Sequence, residues 1–187
     1  MALKATVVKA ELQVSDLDRH HYATYNLTVA QHPSETEQRL MVRLLAFAMF
    51  AEDRLEFGRG LSSEDDPDLW RRDYTGEIEQ WIDLGQPDES RIRKACGRAR
   101  QVVVVNYSGR SADLWWDKNS YALKRLRNLT VIDIGADTVE ALAGVHQRAM
   151  RVNVLIQDGE VQWLGEGHSF TFRTVTRMAS DEEAARA

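Results

Sequence analysis

Apolar and polar positions alternate along the first thirty residues. Ala5 to Val14 (ATVVKAELQV) and Tyr22 to Val29 (YATYNLTV) have period two, with the charged stretch SDLDRHH between them, so the pattern predicts two paired antiparallel strands. The period then changes. Gln31-His32-Pro33-Ser34 stops the second strand, and Leu40, Met41, Leu44, Leu45, Ala48 and Met49 mark one face of a helix running to about Glu52. Glu35, Glu37, Arg39 and Arg43 mark its other face, and Ser34 with Glu37 three residues on has the form of a capping box. Arg54 to Leu61 alternates like a strand. Ser62 to Asp68 is an acidic loop containing Pro67-Asp68, and Leu69-Trp70 after it fits a helical turn or a strand.

The centre of the chain carries the most informative pattern. If 77–84 is extended, Glu77, Glu79, Trp81 and Asp83 share one side and Ile78, Gln80, Ile82 and Leu84 the other. Carboxylates then interrupt a face that is otherwise ready for burial, which costs several kcal/mol unless each is paired or holds a metal. Past Gly85, Pro87-Asp88-Glu89-Ser90 has the composition of a helix start, and Ile92, Ala95, Cys96 and Ala99 recur at helical spacing, predicting a helix over 88–100. Gln101 to Tyr107 (QVVVVNY) is a continuous β-branched run, as in a strand buried on both faces. Further on, the pattern predicts a helix over 111–127, a strand over 130–134, a helix over 136–149, and a hairpin of 151–156 and 161–164 turning at Asp158-Gly159. A last strand covers 170–175, and the polar residues 180–187 form a tail expected to fray. The fold class is α+β: a mixed, partly parallel sheet flanked by helices, closed by a second small antiparallel sheet from the N- and C-terminal strands. One domain is expected over 1–179.

Composition narrows the function classes. The chain has 187 residues, a net charge of -5 and one cysteine, Cys96. That charge argues against broad charge-driven binding to nucleic acid while leaving room for a local basic patch. A lone cysteine excludes an intramolecular disulfide and fits a reducing compartment. No apolar run approaches the ~18 residues of a membrane span, so a soluble cytoplasmic protein without membrane partners is expected. The five histidines, His20, His21, His32, His146 and His168, lack zinc-site spacing, and neither a Walker loop nor a nucleophile elbow occurs. Trp115-Trp116, near Arg110, Lys118, Lys124, Arg125 and Arg127, reads either as a stacking surface for bases or as an amphipathic helix with one buried tryptophan.

The candidate chemistry lies in the acids. Two or three carboxylates hold Mg²⁺ together with waters, and a neighbouring lysine stabilises transition-state charge. Glu35, Asp68, Glu79 and Asp83 are the candidate acids and Lys94 the candidate cation. In a straight strand Glu79 and Asp83 lie ~13 Å apart, too far for one ion, so a shared site needs a bend that brings Glu79 or Asp68 to Asp83. The bland alternative is a set of solvated acids and surface salt bridges.

At HPSETEQR (32–39), WIDLGQPDESRIRKA (81–95) and the terminal hairpins, the sequence resembles the bacterial YaeQ family over nearly its whole length. That family is regarded as a compact variant of the PD-(D/E)XK nuclease fold. The resemblance implies an αβββαβ core closed by a second small sheet, and a Mg²⁺-dependent nuclease acting on DNA or RNA. It carries over residue by residue as follows: Asp83 matches the second acid, and Gly85 stands where the motif's lysine would be. Lys94 is then a migrated substitute, the first acid is Asp68 or Glu79, and Glu35 resembles the acid on the first helix. On this reading Asp68, Glu79 and Asp83 are the metal ligands, with Glu79, Asp83 and Lys94 catalytic. The alternative is a non-catalytic interaction or regulatory protein on the same scaffold.

Overall fold

The structure is a computed structural model that describes residues 4–187. In chain order its elements are β1 (Thr6–Asp16), β2 (His21–Gln31), α1 (Glu37–Met49), β3 (Leu55–Phe57), β4 (Leu69–Arg72), β5 (Ile78–Leu84), α2 (Glu89–Cys96), β6 (Ala99–Asn106), α3 (Arg110–Leu123), β7 (Leu129–Asp133), α4 (Ala136–Gly144), β8 (Ala149–Gln157), β9 (Glu160–Gly165), β10 (His168–Arg173), β11 (Val175–Met178) and α5 (Asp181–Arg186). The class is α+β, with two mixed sheets. The chain divides into two compact units, one from residues up to 52 with 137–173, the other from 53–136 with 174–187.

The first unit is built on the period-two pattern of β1. Val8, Ala10, Leu12 and Val14 are buried while Lys9 and Gln13 face solvent. β1 pairs antiparallel with β2 from Thr6↔Gln31 to Asp16↔His21, as the alternation predicts. On its other edge β8 lies parallel to it, from Lys9↔Ala149 to Asp16↔Ile156. The strand order is β10-β9-β8-β1-β2. The sheet is therefore larger than expected and mixed instead of antiparallel, because β8 enters beside β1 in the same direction. α1 buries every residue from Leu40 to Ala48. Its cap is Thr36, whose Oγ1 accepts the Arg39 N–H at 3.1 Å, and not Ser34, whose hydroxyl pairs with the His32 ring instead.

The second unit has the order β11-β7-β6-β5-β4-β3. β5, β6 and β7 are mutually parallel, with α2 and α3 as the crossovers that parallel neighbours require. Trp81, Val102, Val104, Leu129 and Val131 form one sheet face and pack against Ile92, Ala95 and Leu123 of the helices. Leu69-Trp70 is resolved as strand, with Trp70 opposite Trp81. β3 is shorter than the alternation suggested because the chain leaves it at Gly58 and makes a single 3₁₀ turn, Gly60–Ser62. α2 also stops early, since Ala99 already pairs with Ile78. The predicted strand over 170–175 is two strands in two different sheets, β10 and β11. Residues 181–186 of the expected tail form α5, capped by buried Ser180 and tied by the Thr130 hydroxyl, which donates to Glu183 Oε2 at 2.6 Å.

Cys96 ends α2 against this core, and burial pushes its thiol up to about 11. Folding therefore favours the protonated thiol: that contribution is complete below pH 9 and disappears as the pH rises from 9.0 to about 11. We expect Cys96 to react with a disulfide reagent at pH 8 at least ~10-fold more slowly in the native protein than in guanidinium, since thiolate is the attacking species. The fall in melting temperature between pH 8 and 10.5 should be smaller in Cys96→Ala. Equal reaction rates in the two states would contradict this.

Candidate functional site

Asp68 immediately precedes β4, and the antiparallel pairing of β4 with β5 from Leu69↔Ile82 sets it beside the last residues of β5, where Asp83 lies. Asp68 is anchored by backbone on two sides. Its N–H donates to Ile82 O at 3.1 Å, and its own carbonyl accepts the Gly58 N–H at 3.0 Å. Gly58 has no side chain for a physical reason: a Cβ there would lie 2.0 Å from Pro67 O. The Asp68 carboxylate is buried, and its Oδ2 accepts the Leu84 N–H at 2.8 Å, across the end of β5.

Asp83 sits two residues past Trp81, hence on the face covered by α2. Its side chain is 3% exposed, and Arg91 closes on it with a two-point fork: Nε to Oδ2 at 2.8 Å and Nη2 to Oδ1 at 2.9 Å. Such a fork is the strongest form of carboxylate pairing. The Asp83 hydrogen bond is the main cause raising the Arg91 pKa; partial burial opposes it, and the charges of Asp83, Asp68 and Asp65 add to it. Both buried aspartates therefore act on one guanidinium. Gly85 has φ +87°, a left-handed conformation that a residue with a side chain would adopt only with strain. The cation beside Asp83 comes from the helix.

The structure gathers only part of the predicted set. The cation beside Asp83 is Arg91 and not Lys94, whose ammonium lies 3.3 Å from Asp65 Oδ1 and is 66% exposed. Helical side chains lean toward the N-terminus of their helix. Arg91, in the first turn of α2, thus reaches back to the end of β5, while Lys94 starts ~4.5 Å farther along the axis. The signal for Arg91 in the sequence is its place in that first turn. Glu79 stays near the start of β5, its Oε2 held by Arg71 at 3.0 Å and by Arg54 at 3.1 Å, so no bend brings it to Asp83. Glu35 belongs to the other unit, where Arg39 and Arg43 bind its two oxygens at 3.1 and 2.9 Å. Trp115 packs against the core and donates from Nε1 to Pro87 O at 2.9 Å, so it serves the helix interior and not a stacking surface. A cleft of about 480 Å³ in the first unit, lined by Lys9, Trp163 and His168 among others, contains none of these acids.

The chemistry available is that of two buried aspartates and one guanidinium at the carboxyl end of a parallel strand, the edge where open α/β sheets bind ligands. Among the described residues no group of three or more histidine, cysteine or acidic side chains is placed to hold a metal. Two carboxylates nevertheless suit Mg²⁺, which keeps several waters and takes few protein oxygens, provided Arg91 yields Asp83. Removing the guanidinium would strand a buried charge. We expect Arg91→Met to lower stability by about 2–3 kcal/mol in urea unfolding at pH 7, less than for a fully enclosed pair because Arg91 is partly exposed. Lys94→Met should change it by no more than ~0.5 kcal/mol. Equal effects would contradict the assignment of Arg91 as the partner of Asp83.

The chain matches the family model described as "YaeQ protein" over residues 1–174. It is 43% identical to the uncharacterized protein YaeQ of Escherichia coli K12 over 167 residues, 89% of this chain and 91% of that one. With the protein of the same description from Salmonella typhi it is 44% identical over 170 residues, 90% and 93% of the two chains. The crystal structure of YaeQ protein from Xanthomonas axonopodis pv. citri is similar at a TM-score of 0.91 and 60% identity, covering 94% of this chain and 99% of that one. That from Pseudomonas syringae gives 0.90 at 34% identity, covering 94% and 97%. No helix among the described residues is long and apolar enough to cross a membrane. With one fold shared at this identity and over this length, the chain belongs to the YaeQ family.

Proposed function

We propose that Asp68 and Asp83 form the centre of a Mg²⁺-dependent phosphodiesterase acting on DNA or RNA, on a scaffold of the PD-(D/E)XK type. The observation that carries this reading is the placement of two buried aspartates at the end of β5, Asp83 in the Arg91 fork and Asp68, directly after Pro67, on the Leu84 N–H. The chain order α1-β3-β4-β5-α2-β6 is also the order that the resemblance to the nuclease fold implies. Asp68 and Asp83 would hold the cation, which when bound supplies Lewis-acid polarisation of a phosphodiester and a more acidic water. Arg91 has two tasks in this scheme: it neutralises Asp83 at rest, and on release it offers two donors to the phosphate oxygens. Leu84 N–H keeps Asp68 oriented. Glu79 stands outside the centre as a structural charge, and Lys94 lies outside it on Asp65.

A second reading is favoured by the same fork. Arg91 occupies both oxygens of Asp83, and a family member that kept the scaffold as a binding or regulatory protein would satisfy its buried acid in this way. Incubation of the purified protein with plasmid, single-stranded DNA and RNA in Mg²⁺ or Mn²⁺ separates the two. Under the first reading, Asp68→Asn and Asp83→Asn each lower cleavage by about 10²-fold or more, while Glu79→Gln keeps most of it. A melting temperature indifferent to either metal, together with intact substrates in every reaction, would sink the first reading and leave the second.

A further inference from the structure

The loop before Asp68 carries three consecutive acids, Glu64-Asp65-Asp66, and it lies along the basic side of α2. Arg91 donates to the carbonyls of Glu64 and of Asp66, the latter at 2.9 Å. Lys94 pairs with the Asp65 carboxylate at 3.3 Å, and Arg98 donates to the Asp65 carbonyl at the same distance. Arg59, at the other end of the loop, is 3.1 Å from Asp66. Positions 91, 94 and 98 are three and four residues apart and so share one side of the helix and its exit. Over ~10 Å of helix axis they present three cations. Arg91 and Arg98 are further fixed over the Trp81 ring, at 5.7 and 5.2 Å from its centroid.

From this arrangement we propose that Arg91, Lys94 and Arg98 are the surface that receives the sugar–phosphate backbone of a nucleic-acid strand, and that residues 63–66 are a built-in competitor occupying it. The proposal rests on the phosphodiesterase reading and gives its site a substrate path. The overall charge of -5 conceals the basic row because the loop's acids cancel it. The strap is held by weak bonds where it meets Lys94: that pair is 66% and 79% exposed, and ion pairs in water contribute little. A polyanion carries more charge than one short loop and releases counterions on binding, so it displaces the strap. Displacement also removes the two carbonyls that hold Arg91 over Asp83, which couples strand binding to the opening of the aspartate pair.

The test is fluorescence anisotropy of a labelled 20-nucleotide single-stranded DNA with the full-length protein in EDTA, so that the readout is independent of cleavage. Asp65→Asn/Asp66→Asn should bind about 5–10-fold tighter than wild type, whereas the equally neutralised control Glu140→Gln/Glu160→Gln should change by about 2-fold or less. Lys94→Gln/Arg98→Gln should bind about 5–10-fold more weakly and reduce the slope of log K against log salt by about two. The proposal is overturned if the strap variant binds no tighter than the control, if the Lys94/Arg98 variant binds like wild type, or if no variant binds the strand. Tighter binding by the strap variant without cleavage in Mg²⁺ would retain this surface and remove the hydrolase. Cleavage that depends on Asp83, with the strap variant unchanged in affinity, would do the reverse.

Discussion

The fork between Asp83 and Arg91 is the interaction on which the arrangement of the second unit's working edge depends. A carboxylate at 3% exposure has lost nearly all of its hydration, and only a partner with matched geometry makes that position tolerable. Arg91 supplies the match and does more than neutralise. The same guanidinium bonds to two carbonyls of the loop preceding β4, so one side chain joins that loop, the end of β5 and the first turn of α2. The neighbouring core then has little freedom: Trp81, two residues before Asp83, lies under the guanidinium and against Ile92 and Ala95 of the helix that bears it.

Small backbone constraints place the acids with equal economy. Gly58 lets the Pro67 carbonyl come closer than any side chain would permit, which lets the chain turn into β4 with Asp68 already alongside β5. Gly85 follows β5 in a left-handed conformation and sends the chain toward α2. Positive charge beside Asp83 comes from that helix.

Much of the architecture was legible in the chain, and what was not has physical causes. Long segments with clear periods, β1, β2, α1 and the valine run of β6, stand where their patterns put them, because burial of a whole face outweighs local preferences. Short pieces failed where tertiary pairing decides: β3 is cut by Gly58, and the last predicted strand is shared between two sheets at Thr174. Thr36 outcompeted Ser34 as the cap because Ser34 is engaged by His32. In the candidate site Asp83 was identifiable as a carboxylate that breaks an apolar pattern, and Asp68 from its place directly after Pro67 in an acidic loop. Arg91 was not, since charge type alone does not say which helical residue leans back over a strand end; that depends on the first-turn direction of α2.

The parallel junction between β1 and β8 has a consequence for biogenesis. It joins residues 9–16 to residues 149–156, and Asp18 accepts the backbone N–H groups of Asp158 and Gly159 from 140 and 141 positions away. During synthesis the β1–β2 hairpin is made well before β8, so its open edge must wait until β8 leaves the ribosome to cover it. The hairpin thus spends translation as an unprotected pairing template, at a time when the strands that would seal it do not yet exist.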